Sequence, residues 1–250
     1  PAIAQTASQA SPADKILSLH LDMLGRAKPG STVYIENAYI ILTPPLRKAI
    51  LSALDRGVNF HIYTNSPYSA DEPVVSMPIM LSARELLEMN QGINQGSGQG
   101  TNNKRGTVKV RLRRARPLPA TASGHGQESQ PSTLHSKYML AETDQGPIVL
   151  VGSYNLHPRS LRYEEEMVAL IKSPSTEQGA YKAFLDWFNR ADTLVTDPSI
   201  NIGLPDSADL TDPQAIALLL PAGDKWTSLR ALPEGGLPQD GLFAFINAGV

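Results

Sequence analysis

From Ser31 to Asn65 the sequence runs strand, helix, strand, and that order constrains the fold more than any other stretch. STVYIENAYIIL (31–42) is rich in β-branched and aromatic residues and predicts a buried strand. Thr43-Pro44-Pro45 opens a helix, since proline is tolerated in a first turn whose N–H groups have no partner. Leu46, Ala49, Ile50, Ala53 and Leu54 share one face of it, and Gly57 lies just past its end. VNFHIYTN (58–65) then predicts a second strand. Two strands joined through a helix make a parallel pair with a right-handed crossover.

Other elements follow from the same rules. Ser11 as N-cap and Pro12 at the first helical position start a helix carrying Ile16, Leu19, Met23 and Leu24, and Pro29-Gly30 stops it. Met80 to Met89 predicts another helix. TVKVRLRR (107–114) alternates, with Val108, Val110 and Leu112 on one side and Lys109, Arg111 and Arg113 on the other. HSKYMLAE and PIVLVGSYN predict two strands joined by a hairpin turn at Thr143-Asp144-Gln145-Gly146. EMVALI (166–171) is a further strand, and a helix around 176–190 shows Ala180, Phe184, Trp187 and Phe188 on one face. The expected fold class is α/β, a mixed central β-sheet flanked by helices.

Composition sets boundaries. Residues 1–14 are small, polar and aperiodic and read as a linker. A Gly/Gln/Asn-rich stretch and a second low-complexity stretch make a flexible insertion at about 90–132 within a domain spanning 15–195, and 196–250 is a C-terminal extension. The chain of 250 residues has no cysteine, which excludes disulfides, thiolate metal sites and cysteine nucleophiles. Its net charge of −2 argues against a broad DNA-coating role. No apolar run approaches the roughly 18 residues of a membrane span.

The chemistry concentrates in LHSKYMLAETDQGPIVLVGSYNLHPRSLRYEEEMVALI (134–171). On a strand, positions i and i+2 face the same way, so His135 and Lys137 share one side. A neutral imidazole can attack phosphorus while a fixed ammonium holds the non-bridging oxygens. Ser153 and Asn155, on the adjacent strand, can donate further hydrogen bonds. Glu166 can hold the other ring nitrogen and stabilise the imidazolium. Glu164-Glu165-Glu166 also reads as a solvated acidic run with one member turned inward. His157 and Arg159 read as loop anchors, His20 as a helix-surface residue and His61 as a polar-face strand residue. Seven Lys/Arg and no acidic residue lie between Lys104 and Arg116, either a solvated face or a patch for a polyanion, in which Arg111 and Arg113 would contact substrate. That patch contains no aromatic residue, which weighs against base stacking.

His135-x-Lys137, a following carboxylate, then Gly152-Ser153-x-Asn155, Pro158-Arg159-Ser160 and Glu166 before an apolar strand resemble the signature of the phospholipase D superfamily, the HKD-motif enzymes. NAYIILTPPLRKAILSALDRGVNFHIYTNSPYSAD (37–71) resembles the opening of the second repeat of bacterial cardiolipin synthase-like members. The similarity covers roughly residues 15–190. It implies an α/β/α sandwich forming one repeat, and a two-step displacement through a phosphohistidine without metal or cofactor. In that scheme His135 is the nucleophile or its acid/base counterpart, Lys137 and Asn155 bind the phosphoryl oxygens, Ser153 sits beside them and Glu166 orients His135. The family's aspartate falls at Glu142 by strict count or at Asp144 within a longer hairpin, and its role is structural.

The family site is built from two such motifs and this chain carries one. The expected partner is a second HKD-bearing repeat or subunit, an upstream repeat being preferred over a homodimer mate because Pro1 lies where a linker between repeats belongs. The resemblance points to a phospholipid substrate, peripheral membrane contact and a bacterial cell-envelope setting, membrane-associated or periplasmic. An apolar surface from Ile216 to Pro221 and Leu242 to Ile246 would serve that contact. The alternatives are a homodimeric, metal-independent nuclease and a non-catalytic interaction half. Nucleic acid ranks below lipid.

Overall fold

A computed structural model describes residues 2–5, 15–66, 69, 73–91, 105–113, 133–162 and 164–190. Among the described residues, seven strands form one mixed sheet: β1 (Ala2–Gln5), β2 (Thr32–Asn37), β3 (Asn59–Asn65), β4 (Val108–Arg113), β5 (Lys137–Thr143), β6 (Gly146–Gly152) and β7 (Glu166–Lys172), in the order β1-β7-β6-β5-β2-β3-β4. The helices are α1 (Lys15–Arg26), α2 (Pro44–Asp55), α3 (Pro73–Gln91), α4 (Pro158–Arg162) and α5 (Gly179–Arg190). The α/β class with a mixed sheet is the one expected. The parallel β2–β3 pair follows from the helix between them, and β4 extends it in parallel after α3.

Both sheet faces are covered, which is why β5 and β6 are almost continuously apolar. Ile35, Ile62, Val110, Met139, Leu150 and Val168 pack on one side under α1, α2 and α3. On the other, Leu140, Val149, Tyr63 and Tyr138 pack against Tyr181 and Phe188 of α5.

Several expectations need correction. Residues 2–5, assigned to a linker, pair antiparallel with β7, Gln5 opposite Glu166. Ala-Ile-Ala-Gln is too short to show a readable alternation, yet backbone bonding to an open sheet edge needs none. The strand expected over 31–42 stops at Asn37, because the Asn37 Oδ1 accepts the Tyr39 N–H (3.2 Å) and turns the chain out of the ladder. The helix expected at 80–89 runs from Pro73 to Gln91, with Pro78 inside it. The alternating segment at 107–114 contains β4, as its pattern indicates. Trp187 lies off the packed face of α5, 57% exposed, and Tyr181 takes its place in the core. His20 is buried rather than on a helix surface, its Nδ1 2.8 Å from the Ile16 carbonyl and its ring against Tyr154. His61 packs edge-on against Phe188. The Ser11 cap, Lys104, Arg114, Arg116, residues 92–104 and 117–132 of the low-complexity stretches and the tail segments at 216–221 and 242–246 lie outside the described residues. No helix among the described residues is long and apolar enough to cross a membrane.

Candidate active site

β2, β3 and β4 end, β5 begins, β6 ends and β7 begins at one end of the sheet, a consequence of the strand directions. There a 480 Å³ cavity opens, lined by His135, Lys137, Gly152, Ser153, Asn155 and Glu164 to Glu166. His135, Lys137, Ser153, Asn155 and Glu166, proposed from the sequence, are thus brought together, although 31 positions separate the first from the last.

Lys137 opens β5, and its chain folds back along the strand edge. Its Nζ donates to the His135 carbonyl (2.7 Å) and lies 3.2 Å from the His135 Nδ1. An ammonium donating to Nδ1 leaves the neutral ring's own proton on Nε2. The imidazole is exposed while Lys137 is buried, so the cation is fixed and the ring accessible. Of the three glutamates, Glu165 is exposed and Glu166 is buried. The Ser153 hydroxyl donates to the Glu166 Oε2 and also accepts the Met167 N–H (3.0 Å). Glu164 is held by the Ser160 hydroxyl and by Arg159 (2.9 Å).

Gly152 is required by a close approach: a Cβ there would stand 2.0 Å from the Met167 carbonyl oxygen. The next residues, 153 to 157, leave the sheet and place Asn155, whose side-chain Oδ1 is buried without a hydrogen-bond partner. His157 closes the loop. Its Nδ1 accepts the N–H groups of Arg159 (3.1 Å) and Ser160 (3.1 Å) at the start of α4. Burial pushes its pKa down to about 4, against the opposite pull of Glu164, so the ring is a neutral anchor.

The expected carboxylates stand elsewhere. Glu142 and Asp144 lie at the far, hairpin end of β5, on the order of 17 Å along the strand from Lys137. Asp144 pairs with Arg26 at the end of α1 (3.6 Å), while Gly146 supplies the positive φ of the turn (98°).

Arg111 and Arg113 do not line the cavity. The alternation of β4 placed Arg111 on a solvent side, but the end of α5 covers that side. The guanidinium lies over Phe188 (5.4 Å) and Tyr63 (5.8 Å), and the residue is 7% exposed. Arg113 ends β4, opposite Asn65. Among the described residues no group of three or more His, Asp or Glu side chains is placed to hold a metal ion.

Sequence reasoning missed the buried polar residues behind the cavity. Glu36, 1% exposed, accepts from the Ser136 hydroxyl and from the Tyr138 hydroxyl (2.6 Å). Burial, then the neighbouring Glu36 carboxylate, raises the Tyr138 pKa far above the usual phenol value. Asn37 donates to the Tyr154 carbonyl (3.1 Å), and Asn65 grips Leu134. A carboxylate inside an apolar strand and asparagines at the carboxyl ends of parallel strands were the available signals.

The family model for the cardiolipin synthase, PLD-like domain matches residues 21–191. No curated protein sequence matches the chain. Among solved structures, the chain is similar to a phosphatidylserine synthase from Haemophilus influenzae, at 16% identity and a TM-score of 0.55. That match covers 99% of this chain and 45% of the other, so the chain spans under half of that protein. It also matches Nuc, a phospholipase D family member from Salmonella typhimurium, at 17% identity over 76% of this chain and 93% of that one, with a TM-score of 0.45. NucT from Helicobacter pylori matches at 12% identity over 77% and 92%, with a TM-score of 0.45. With the family model spanning strands β2 to β7 and the whole cavity, the chain belongs to the phospholipase D superfamily.

Proposed function

We propose that this chain transfers or hydrolyses phosphodiester bonds of phospholipids, with His135 as nucleophile and a second motif supplied by another repeat or subunit. The observation that carries this reading is the convergence of His135, Lys137, Ser153, Asn155 and Glu166 on one cavity. An imidazole nitrogen of His135 attacks phosphorus, a P–N bond forms and the P–O bond to the first alcohol breaks. The second motif's histidine gives that alcohol its proton. Water or a second alcohol, deprotonated by the same histidine, then attacks phosphorus and breaks the P–N bond. Lys137 is within reach of a phosphoryl group joined to Nδ1, from which its Nζ lies 3.2 Å. Asn155 lines the same cavity, toward the remaining oxygens, and Ser153 holds Glu166 at the cavity wall. The residues that carry this scheme need neither metal nor cofactor.

Three observations favour lipid over nucleic acid. The matching family model is that of a cardiolipin synthase, PLD-like domain. Arg111 is withdrawn into the α5 interface, which breaks up the basic strand as a polyanion surface. Met167, at the end of β7 where the cavity opens but not among its lining residues, is 59% exposed and gives that end of the sheet an apolar surface side chain, as an acyl-chain substrate at a cell-envelope membrane surface would use.

Turnover of phosphatidylglycerol in vesicles, compared with cleavage of supercoiled plasmid, tests this reading. Lipid turnover that survives EDTA and is lost in His135→Ala is expected. Plasmid cleavage without lipid turnover would overturn the lipid assignment in favour of the nuclease.

A further inference from the structure

The two walls of the cavity reach it by different routes. The His135-x-Lys137 wall follows the long segment between Arg113 and Leu134, whereas the Ser153–Asn155 wall follows a tight hairpin. A nucleophile is held in place by what its adjoining backbone is bonded to.

Asn65, at the carboxyl end of β3 and fully buried, is bonded at the point where that segment returns. Its Oδ1 accepts the Leu134 N–H (2.9 Å), and its Nδ2 donates to the Leu134 carbonyl (2.8 Å), so one amide grips both polar groups of the residue before His135. The same Nδ2 donates to the Ala38 carbonyl (3.0 Å). Ser69 Oγ lies 3.0 Å from the Asn65 Oδ1 and 2.9 Å from the Arg113 carbonyl, so both flanks of the segment meet at this side chain.

Asn37 treats the other wall alike. Its Oδ1 accepts from Leu156 (3.3 Å) and Tyr39 (3.2 Å), and its Nδ2 donates to Tyr154 (3.1 Å), the residues on either side of Asn155. Residues 37–39 are therefore tied to both walls, through Asn37 to the Asn155 loop and through Ala38 and Asn65 to Leu134.

We propose that Asn65, with Asn37 as its counterpart, is a positioning residue that fixes His135 and Lys137 relative to Asn155. It touches no reacting atom and acts through the Leu134 backbone. This inference rests on the proposed role of His135. A displacement of about 1 Å at a reacting group costs on the order of 100-fold in rate, so the effect belongs in kcat.

The test uses the full chain with the soluble diester bis(p-nitrophenyl) phosphate, and ¹⁵N NMR of the His135 ring. In Asn65→Ala, kcat falls about 100-fold while KM stays within about two-fold. The ring signals, expected to report the Nε2–H tautomer in the parent chain, should average between tautomers in this variant. Asn65→Asp keeps the shape but turns an oxygen toward the Leu134 carbonyl. It loses kcat at neutral pH and recovers part of it as pH falls and the carboxyl becomes a donor again, and it decides the matter if the alanine variant does not fold. A lowered Tm with kcat within two-fold of the parent and an unchanged tautomer would overturn the proposal and leave Asn65 a purely structural residue. If His135→Ala keeps full turnover, the catalytic reading fails instead, and the tautomer measurement still decides whether Asn65 positions the ring.

Discussion

Gly152→Ala is the most demanding single substitution, because its effect follows from one distance. The added Cβ would stand 2.0 Å from the Met167 carbonyl oxygen and 2.9 Å from the Val168 Cα, both backbone atoms of β7. No rotamer relieves a clash between two backbones, so β6 and β7 must separate by at least about 1 Å. That separation breaks the Ser153 N–H bond to Met167 O (3.0 Å) and the Met167 N–H bond to Ser153 Oγ (3.0 Å). Two hydrogen bonds at about 1 kcal/mol each, with about 1–3 kcal/mol of overpacking, come to about 3–5 kcal/mol. For a chain of this size the midpoint falls by on the order of 10 °C. The same displacement moves Ser153 away from Glu166, so turnover drops about 100-fold. Differential scanning calorimetry on the parent, Gly152→Ala and Gly25→Ala separates this from a generic glycine effect. Gly25 is exposed in α1 with nothing within 4 Å of a built Cβ, and alanine there stabilises by about 0.5–1 kcal/mol. A Gly152→Ala chain melting within 1 °C of the parent would refute the close approach and the Ser153–Glu166 geometry built on it.

Arg111→Met should lower stability by about 1–3 kcal/mol through loss of the guanidinium stacked on Phe188 and Tyr63, with KM for a phosphodiester unchanged. A tenfold rise in KM at unchanged Tm would instead make Arg111 a substrate contact. His157 has a folded pKa of about 4 against 6.5 when unfolded. Its contribution is therefore complete above pH 6.5 and is lost as pH falls toward 4, when a protonated Nδ1 can no longer accept the Arg159 and Ser160 N–H groups. Tm measured across that window should fall less steeply in His157→Gln than in the parent, and equal slopes would contradict the anchor. The Tyr138 pKa is raised, so its contribution is complete below pH 10 and is lost as pH rises beyond it. Tyr138→Phe, which also removes a donor to Glu36, should cost about 1–3 kcal/mol at neutral pH and flatten the alkaline decline in Tm. An unchanged alkaline limb would show that another group drives it.

Local periodicity made much of the sheet legible. The β2–α2–β3 unit and the β5–β6 hairpin carry their pairing in adjacent residues, and so does the shared side of His135 and Lys137. What stayed hidden depended on distant partners. Arg111 looked solvent-facing because β4 alternates, and only α5, some 70 positions later, covers it. His20 looked exposed until Tyr154 was known to lie over it. Ala2–Gln5 became a strand because β7 offered an open edge, a fact absent from those four residues. The buried clamps at Glu36, Asn37 and Asn65 bond mainly to groups about 70 to 120 positions away, so no window along the chain reveals them.

The central claim is that His135 takes the phosphoryl group. Rapid quench of the chain with phosphatidylglycerol vesicles at alkaline pH, where a phosphoramidate survives, followed by peptide mass spectrometry, reads it directly. The account predicts a phosphatidyl or phosphoryl adduct on the peptide bearing His135, present in the parent and absent in His135→Ala. Undiminished turnover in His135→Ala, or an adduct confined to another residue, would contradict it.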